Sequence, residues 1–247
     1  MTRTRSLLDP QWPDCPVGMA STTRQGGVSQ APWGSFNLGL HVGDAPAAVR
    51  ANRQRLQALL SLPTEPRWLH QVHGVDVAHF TATDSVCDQP ADAAYTQVPG
   101  LPLVILTADC LPVLMASADG SEVGAAHAGW RSLCGGVLER LRWHFRAPAS
   151  ELRVWLGPAI GPTAFEVGPE VRSAFSQHHT QATSAFSAGV GDRYFADLVL
   201  LARQRLQAMG VEQIAGGHWC TASDSDTFYS YRRDGQTGRM ATLIWRL

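Results

Sequence analysis

The architecture of the chain follows from residues 103–128, which read Leu103-Val-Ile-Leu-Thr-Ala-Asp-Cys-Leu-Pro-Val-Leu-Met-Ala-Ser-Ala-Asp-Gly-Ser-Glu-Val-Gly-Ala-Ala-His-Ala128. Residues 103–109 form an apolar run typical of a buried strand, and residues 111–117 continue it. Asp119-Gly120 is a tight-turn signal, so the pattern predicts a β-hairpin. If these two residues form the loop, Ala118 faces Ser121 and His127 faces Pro112.

This register brings a thiol and an imidazole together. Side chains alternate faces along a strand, so Cys110 shares a face with Pro112 and therefore with His127. Diagonal neighbours on a hairpin lie about 7–8 Å apart between Cα atoms, a gap that one metal ion spans or a thiolate–imidazolium pair closes. His73, which precedes Gly74, is a third candidate ligand. One Cys and two His leave an open position on zinc, as catalytic sites do.

Further motifs extend along most of the chain. They include Thr23-Arg-Gln-Gly-Gly-Val-Ser29, Phe36-Asn-Leu-Gly39, Gln71-Val-His-Gly74, Thr107-Ala-Asp-Cys-Leu-Pro112, His127-Ala-Gly-Trp-Arg131, Leu156-Gly-Pro-Ala-Ile-Gly161 and Phe228-Tyr-Ser-Tyr-Arg-Arg-Asp234. In these motifs the chain resembles the laccase-domain family, also called multicopper polyphenol oxidoreductase or purine nucleoside phosphorylase family proteins. The resemblance implies one domain over residues 1–247 and a zinc site formed by His73, Cys110 and His127.

Interspersed helix and strand patterns predict an α/β chain with α+β layers. The resemblance implies a β-rich core flanked by helices, similar to the deamidating domain of cytotoxic necrotizing factor. Helices are expected over 45–60, 130–145, 169–177 and 198–209, and strands over 153–157 and 240–247. The polar segment Gln177–Gly191 is expected to be a mobile loop and is the best candidate for a lid.

The resemblance also implies a purine nucleoside enzyme. The implied reactions are phosphorolysis of adenosine, inosine and methylthioadenosine, and deamination of adenosine. Zinc lowers the pKa of bound water or polarises an oxygen, which suits such chemistry. Asp109 is the candidate carboxylate that carries the proton in deamination. Asn37 and Gln71 are candidate amide contacts to the purine or ribose.

Phosphate binding is constrained by the absence of lysine, since all 20 basic residues are arginine. Phosphate must therefore be held by Arg, His, backbone N–H groups or metal. Arg24 and Arg131 are the favoured candidates, with the start of the helix predicted after His127. Arg232, Arg233 and Arg239 are alternatives.

The composition of the chain limits the partners that the protein is expected to bind and the cellular compartment in which it is expected to act. The chain has 247 residues and a formal net charge of −1, so no overall field attracts nucleic acid. No apolar run approaches the length of a membrane span, and the start lacks a signal-peptide core. Five cysteines without close pairs indicate reduced thiols and a cytoplasmic protein. The sequence leaves the oligomeric state open.

Three other functions are alternatives to a purine nucleoside enzyme. Multicopper oxidation needs many histidines in His-x-His pairs, and the chain has nine His and no such pair, so zinc is favoured over copper. A metal-independent amidase, tied to editing of peptidoglycan precursors, would use Cys110 as nucleophile and His127 as base. A non-catalytic regulatory protein would close a structural metal site with Cys220 or His218 as fourth ligand.

Overall fold

The computed structural model describes residues 6–8, 10, 12, 15–82, 84 and 90–247, so that Cys87 lies outside the described part. The strands are β1 (Leu7–Leu8), β2 (Val17–Thr22), β3 (Val77–Phe80), β4 (Ala93–Thr96), β5 (Leu103–Thr107), β6 (Leu111–Ser117), β7 (Val123–Ala128), β8 (Leu152–Leu156), β9 (Glu166–Val167), β10 (Phe186–Ala188), β11 (Tyr194–Ala196), β12 (Gln213–Gly216) and β13 (Met240–Arg246). The helices are α1 (Pro46–Leu59), α2 (Trp130–Gly135), α3 (Val137–His144), α4 (Pro169–His178), α5 (Leu198–Ala208) and α6 (Tyr231–Asp234), with 3-10 turns at Ala149–Glu151 and Thr180–Ala185. None of the helices in the described part is both long and apolar enough to cross a membrane.

The predicted hairpin register is confirmed. Strands β6 and β7 are antiparallel, and Pro112 pairs with His127. The connecting loop is longer than predicted, because the Gly120 N–H donates to the Ser117 carbonyl and Ser117 pairs with Glu122. Four residues, 118–121, thus form the loop instead of two. The register is unchanged because one residue is added on each side.

The apolar run before the hairpin does not continue into it as one strand. β5 belongs to a four-stranded antiparallel sheet in the order β1-β2-β13-β5, whereas β6 lies in a six-stranded mixed sheet in the order β12-β8-β6-β7-β4-β3. The chain changes sheets at Ala108-Asp109-Cys110, and Asp109 adopts a φ of 96°. The expectation that Cys110 lies within a strand is therefore wrong, since it lies just before β6 begins.

The two large sheets pack face to face between helices. In β6, Val113 and Met115 face α2, α3 and α5, while Leu114 and Ala116 face the four-stranded sheet. A strand covered on both faces reads as a continuous apolar run, which explains the sequence of β6. Leu56 of α1 covers the outer face of the four-stranded sheet. The predicted β-rich core flanked by helices is confirmed.

Most predicted helices and strands are present, with two corrections. The helix expected over 130–145 is two helices, because Gly136 adopts a left-handed φ of 98° and ends α2. The segment Gln177–Gly191 is not an irregular loop. It contains the turn Thr180–Ala185 and strand β10, which pairs with β11 in a three-stranded sheet, and Ala182 and Ala185 are buried. The small residues of this segment pack into the core. The polar pattern of the segment gives no indication of this packing.

Candidate metal centre

Three side chains converge where the hairpin meets two loops. His127 lies within β7, Cys110 precedes β6, and His73 lies in the loop before β3. The nitrogen and sulfur atoms that they offer lie within 4.8 Å of one another. The imidazole rings of His73 and His127 are 4.7 Å apart between centroids. The sequence prediction that these three residues come together is consistent with this geometry.

A buried carboxylate organises the cluster. Oδ1 of Asp92 lies 2.7 Å from Nδ1 of His127, and Asp92 is fully buried. The same carboxylate accepts hydrogen bonds from the backbone N–H groups of Val72, His73 and Gly74 at 3.0, 3.0 and 2.6 Å. These bonds explain how the loop holds His73 at a φ of 60°. With Nδ1–H directed to Asp92, Nε2 of His127 is the nitrogen that faces Cys110 and that a metal would bind.

The protonation of the two histidines differs. Burial lowers the pKa of His127, but the interaction with Cys110 and the hydrogen bond to Asp92 outweigh burial and raise it to about 9. Partial burial and the nearby charge of His127 lower the pKa of His73. In the absence of a bound cation, His127 therefore holds a proton at pH 7. A metal that binds here must displace that proton.

The donor set fits zinc. Two imidazoles and one thiolate are zinc ligands. Tetrahedral bonds of about 2.0–2.3 Å would place such atoms about 3.4 Å apart, so the donor atoms, which lie within 4.8 Å of one another, would move closer together on binding. The absence of a side chain at Gly129 also leaves room for His73 and Cys110. A Cβ at Gly129 would lie 2.9 Å from Nδ1 of His73 and 3.0 Å from Sγ of Cys110. Three ligands leave a fourth position free, as in catalytic sites.

The cluster opens into a cavity of about 600 Å³, a volume suited to a small organic ligand. Of the favoured residues predicted from sequence, Asp109, Gln71 and Arg131 line it together with the three candidate ligands. Gln71 is fixed by a two-way bond to the backbone of Leu106, donating to its carbonyl and accepting from its N–H at 2.8 Å each. The walls also carry Trp130 and Phe165.

Asp109 is held from two sides. Its Oδ1 accepts a hydrogen bond from Oγ1 of Thr221 at 2.6 Å, and its Oδ2 accepts one from the Arg232 N–H at 2.6 Å. Its own carbonyl accepts from Ile160. These bonds stabilise the positive φ at Asp109, a backbone strain typical of functional sites.

Two predicted substrate contacts lie elsewhere. Asn37 is fully buried, and its amide bonds Gly39, Asp44 and the Arg239 N–H. Arg24 donates to the carbonyls of Gly34 and Ser225, and neither Asn37 nor Arg24 lines the cavity. The structure thus places both in loops outside the cluster.

The fourth ligand required by a closed structural site is not found within the described ranges. Sγ of Cys220 accepts hydrogen bonds from the Gly161 N–H and the Ser223 hydroxyl, each at 3.2 Å. The His218 ring stacks on Trp219 at 3.6 Å between centroids. Neither residue belongs to the group formed by His73, Cys110 and His127.

Two residues at the site, Asp92 and His41, were missed by the sequence reasoning. Asp92 precedes β4 as a lone acid among alanines, and that isolated carboxylate before an apolar strand was the available signal. His41 lines the cavity without a sequence pattern that indicates it. Arg232 and Arg239, two of the three alternative phosphate-binding residues, also line the cavity, whereas Arg233 does not.

Fold and site together define a mixed α/β protein with a His-Cys-His group at the base of a cavity. The family model described as multi-copper polyphenol oxidoreductase laccase matches residues 18–247. The chain therefore belongs to this family. The likeness to cytotoxic necrotizing factor stays a prediction.

Relatives match over nearly their full length. The chain is 53% identical over 241 residues to purine nucleoside phosphorylase YfiH of Escherichia coli, covering 97% of this chain and 98% of that protein. It is 52% identical to purine nucleoside phosphorylase PA4543 of Pseudomonas aeruginosa, covering 96% and 97%. The crystal structure of Neisseria meningitidis protein NMB0706 superposes with a TM-score of 0.93 at 45% identity, covering 98% of this chain and 99% of that one.

Proposed function

We propose that the chain is a zinc-dependent purine nucleoside phosphorylase that cleaves adenosine, inosine and methylthioadenosine. The observation that carries the proposal is the convergence of His73, Cys110 and His127 at the base of a nucleoside-sized cavity. The names of the relatives support the same substrate class. The finer parts of the proposal are the zinc ion, the particular nucleosides and a second activity, the deamination of adenosine.

The chain's own side chains suit nucleoside binding. Trp130 and Phe165 supply aromatic surface against which a purine can pack. Both amide atoms of Gln71 are hydrogen-bonded to the backbone of Leu106. We therefore assign Gln71 to shaping the cavity wall and not to direct hydrogen bonding with the nucleoside. Arg131 lies over the Trp130 ring at 4.3 Å and offers a cation at the cavity rim.

Zinc, when bound by the three ligands, supplies a Lewis acid that stabilises developing negative charge. We propose it over copper because the described residues contain one such group, and a multicopper oxidase requires several. Asp92 fixes the ring of His127 for this role. Asp109 keeps lone pairs beyond its two hydrogen bonds, so its carboxylate can take up a proton from a substrate and return it.

The experiment is chromatography of adenosine, inosine and methylthioadenosine incubated with phosphate and the zinc-loaded protein. Free purine from wild type would support phosphorolysis, and inosine from adenosine would support deamination. The variants Cys110→Ala and His73→Ala are expected to lose both phosphorolysis and deamination. Cys15→Ala and His178→Ala, which lie outside the cavity, are matched controls expected to retain full activity. Product from Cys110→Ala equal to that from wild type would refute the proposal.

A second candidate is the Cys–His amidase acting on peptidoglycan precursors. Its support is the direct interaction between the Cys110 side chain and His127, which raises the pKa of the imidazole. A nucleophilic pair needs no third ligand, so amide hydrolysis would survive His73→Ala and removal of zinc with a chelator. Phosphorolysis would be lost in both. The two treatments therefore separate the candidates.

A further inference from the structure

Arg239 places a cation in the cavity without a direct ion pair to any of the described residues. Its Nη1 donates to the backbone carbonyls of Thr237 and Gly238 at 3.1 and 3.0 Å. Among the ion pairs formed by the described residues, none includes Arg239. The side chain is only partly accessible, and burial lowers its pKa. The guanidinium also lies over the Tyr231 ring at 5.9 Å and near the charges of Cys110 and Asp109, but it has no direct anionic partner among the described residues. A desolvated guanidinium of this kind is stabilised by a bound anion.

The backbone around Arg239 is built to hold it there. Oδ1 of Asn37 accepts from both the Arg239 and Gly39 N–H groups, at 2.9 and 3.0 Å, which ties the loop 37–41 to Arg239. A Cβ at Gly39 would lie 2.8 Å from Cγ of Arg239 and 3.5 Å from Cε1 of His41. Arg239 and His41 therefore lie side by side beneath a close backbone approach.

Arg239 is the cation in this part of the cavity, and Asp109 and Cys110 are the acidic groups near it. Burial and the charges of Arg239, Arg53 and His70 lower the pKa of His41, so its ring is neutral at pH 7 and keeps one N–H donor. His73 also experiences the positive charge of Arg239. The one carboxylate lining the cavity, that of Asp109, has both oxygens engaged in hydrogen bonds.

We propose that Arg239 and His41 form the subsite for inorganic phosphate, held in place by Asn37 and next to the His-Cys-His group. The inference rests on the proposed phosphorylase function and deepens it. In the reaction, an oxygen of monohydrogen phosphate forms the bond to C1′ of the ribose while the bond from C1′ to the purine nitrogen breaks. The proton of the phosphate ends on the departing purine, so atoms and charge balance.

The test is calorimetric titration of orthophosphate into the zinc-loaded protein without nucleoside. Arg239→Gln is expected to weaken binding at least about tenfold, because a bidentate charge-assisted contact is lost. Arg239→Lys keeps the charge without the fork and is expected to recover part of the affinity. Arg140→Gln, an exposed arginine on α3, is the matched control and should bind as wild type does. The melting temperature of each variant reports whether it is folded.

The outcomes separate the subsite from the overall function. Unchanged phosphate affinity in folded Arg239→Gln, or absent binding in wild type, would overturn the subsite, while phosphorolysis by wild type would still support the proposed function. Arg239-dependent phosphate binding in a protein that cleaves no nucleoside would support the subsite alone. Adenosine 5′-monophosphate is titrated in parallel. If that ester alone bound through Arg239, the assignment to free phosphate would be wrong.

Discussion

Oδ1 of Asp92 accepts from two histidines of the candidate metal centre at once, from the ring of His127 at 2.7 Å and from the backbone N–H of His73 at 3.0 Å. One buried carboxylate thereby fixes the ring orientation of one ligand and the loop position of the other. Ligand histidines in metal sites commonly have such a carboxylate partner, which raises their basicity. The cluster depends on Asp92 although Asp92 does not belong to it.

Asp92→Asn is expected to lower zinc affinity about 10–100-fold, because the amide no longer supports the imidazole as a charged acceptor does. Competition with a chromogenic chelator measures the change. Asp76→Asn, an exposed carboxylate before β3, should leave the affinity unaltered. Equal zinc affinities for Asp92→Asn and wild type would contradict the role given to this carboxylate.

Gly129→Ala tests whether backbone space is reserved for the metal ligands. Its φ of −60° suits alanine, so the added methyl group acts only through its contacts with His73 and Cys110. Zinc binding should weaken by at least about tenfold while the apo protein melts near the wild-type temperature, since His73 lies in an exposed loop. When Gly129→Ala is added to His73→Ala, the additional loss of zinc affinity should be smaller than the loss that Gly129→Ala causes in wild type. Equal losses of zinc affinity in the two backgrounds would exclude a clash with His73.

Asn37→Asp separates a structural from a substrate-binding role. The new carboxylate would lie 2.9 Å from Oδ2 of Asp44 in a buried site and would lose the N–H donors. We expect a fall in the free energy of unfolding of about 3 kcal/mol or more, measured in urea. Gln30→Glu makes the same change on the surface and should cost little. Unchanged stability with weaker nucleoside binding would instead place Asn37 in the substrate site.

The carboxylate of Asp119 is expected to make the free energy of unfolding depend on pH through the hairpin loop. Hydrogen bonds from the Ser117 hydroxyl and from the Ser121 N–H and hydroxyl lower the pKa of Asp119 from 3.8 to about 2. Because the folded-state pKa is depressed, the stabilisation is present above pH 4 and is lost as the pH falls towards 2. The side chain is exposed, so the effect is small.

The measurement is the free energy of unfolding of wild type and Asp119→Asn between pH 2 and pH 7. The difference between them should be constant above about pH 5 and shrink below pH 4. Asp192→Asn, whose carboxylate has only a distant partner at 3.9 Å, should show no comparable trend. If the difference in the free energy of unfolding between wild type and Asp119→Asn grew at low pH, the expected direction of the effect would be wrong.

Local patterns predicted much of the fold and part of the site. Helix α1 follows from Pro46 and the apolar spacing after it, and the register that pairs His127 with Pro112 follows from a single turn signal. The break at Gly136 and the order in Gln177–Gly191 were not predicted, because a left-handed glycine and small buried residues produce no periodic pattern.

The sequence by itself determined the hairpin, the donor residues and the exclusion of lysine chemistry, since these depend on residue identity and on spacing within short segments. The tertiary structure alone decided which polar residues reach the cavity. Arg239 reaches the cavity and Asp92 reaches the ring of His127 from segments distant along the chain, whereas Asn37 lies in a buried network instead. Such placements depend on how two sheets stack and where the chain crosses between them, and no local pattern encodes a contact between remote segments.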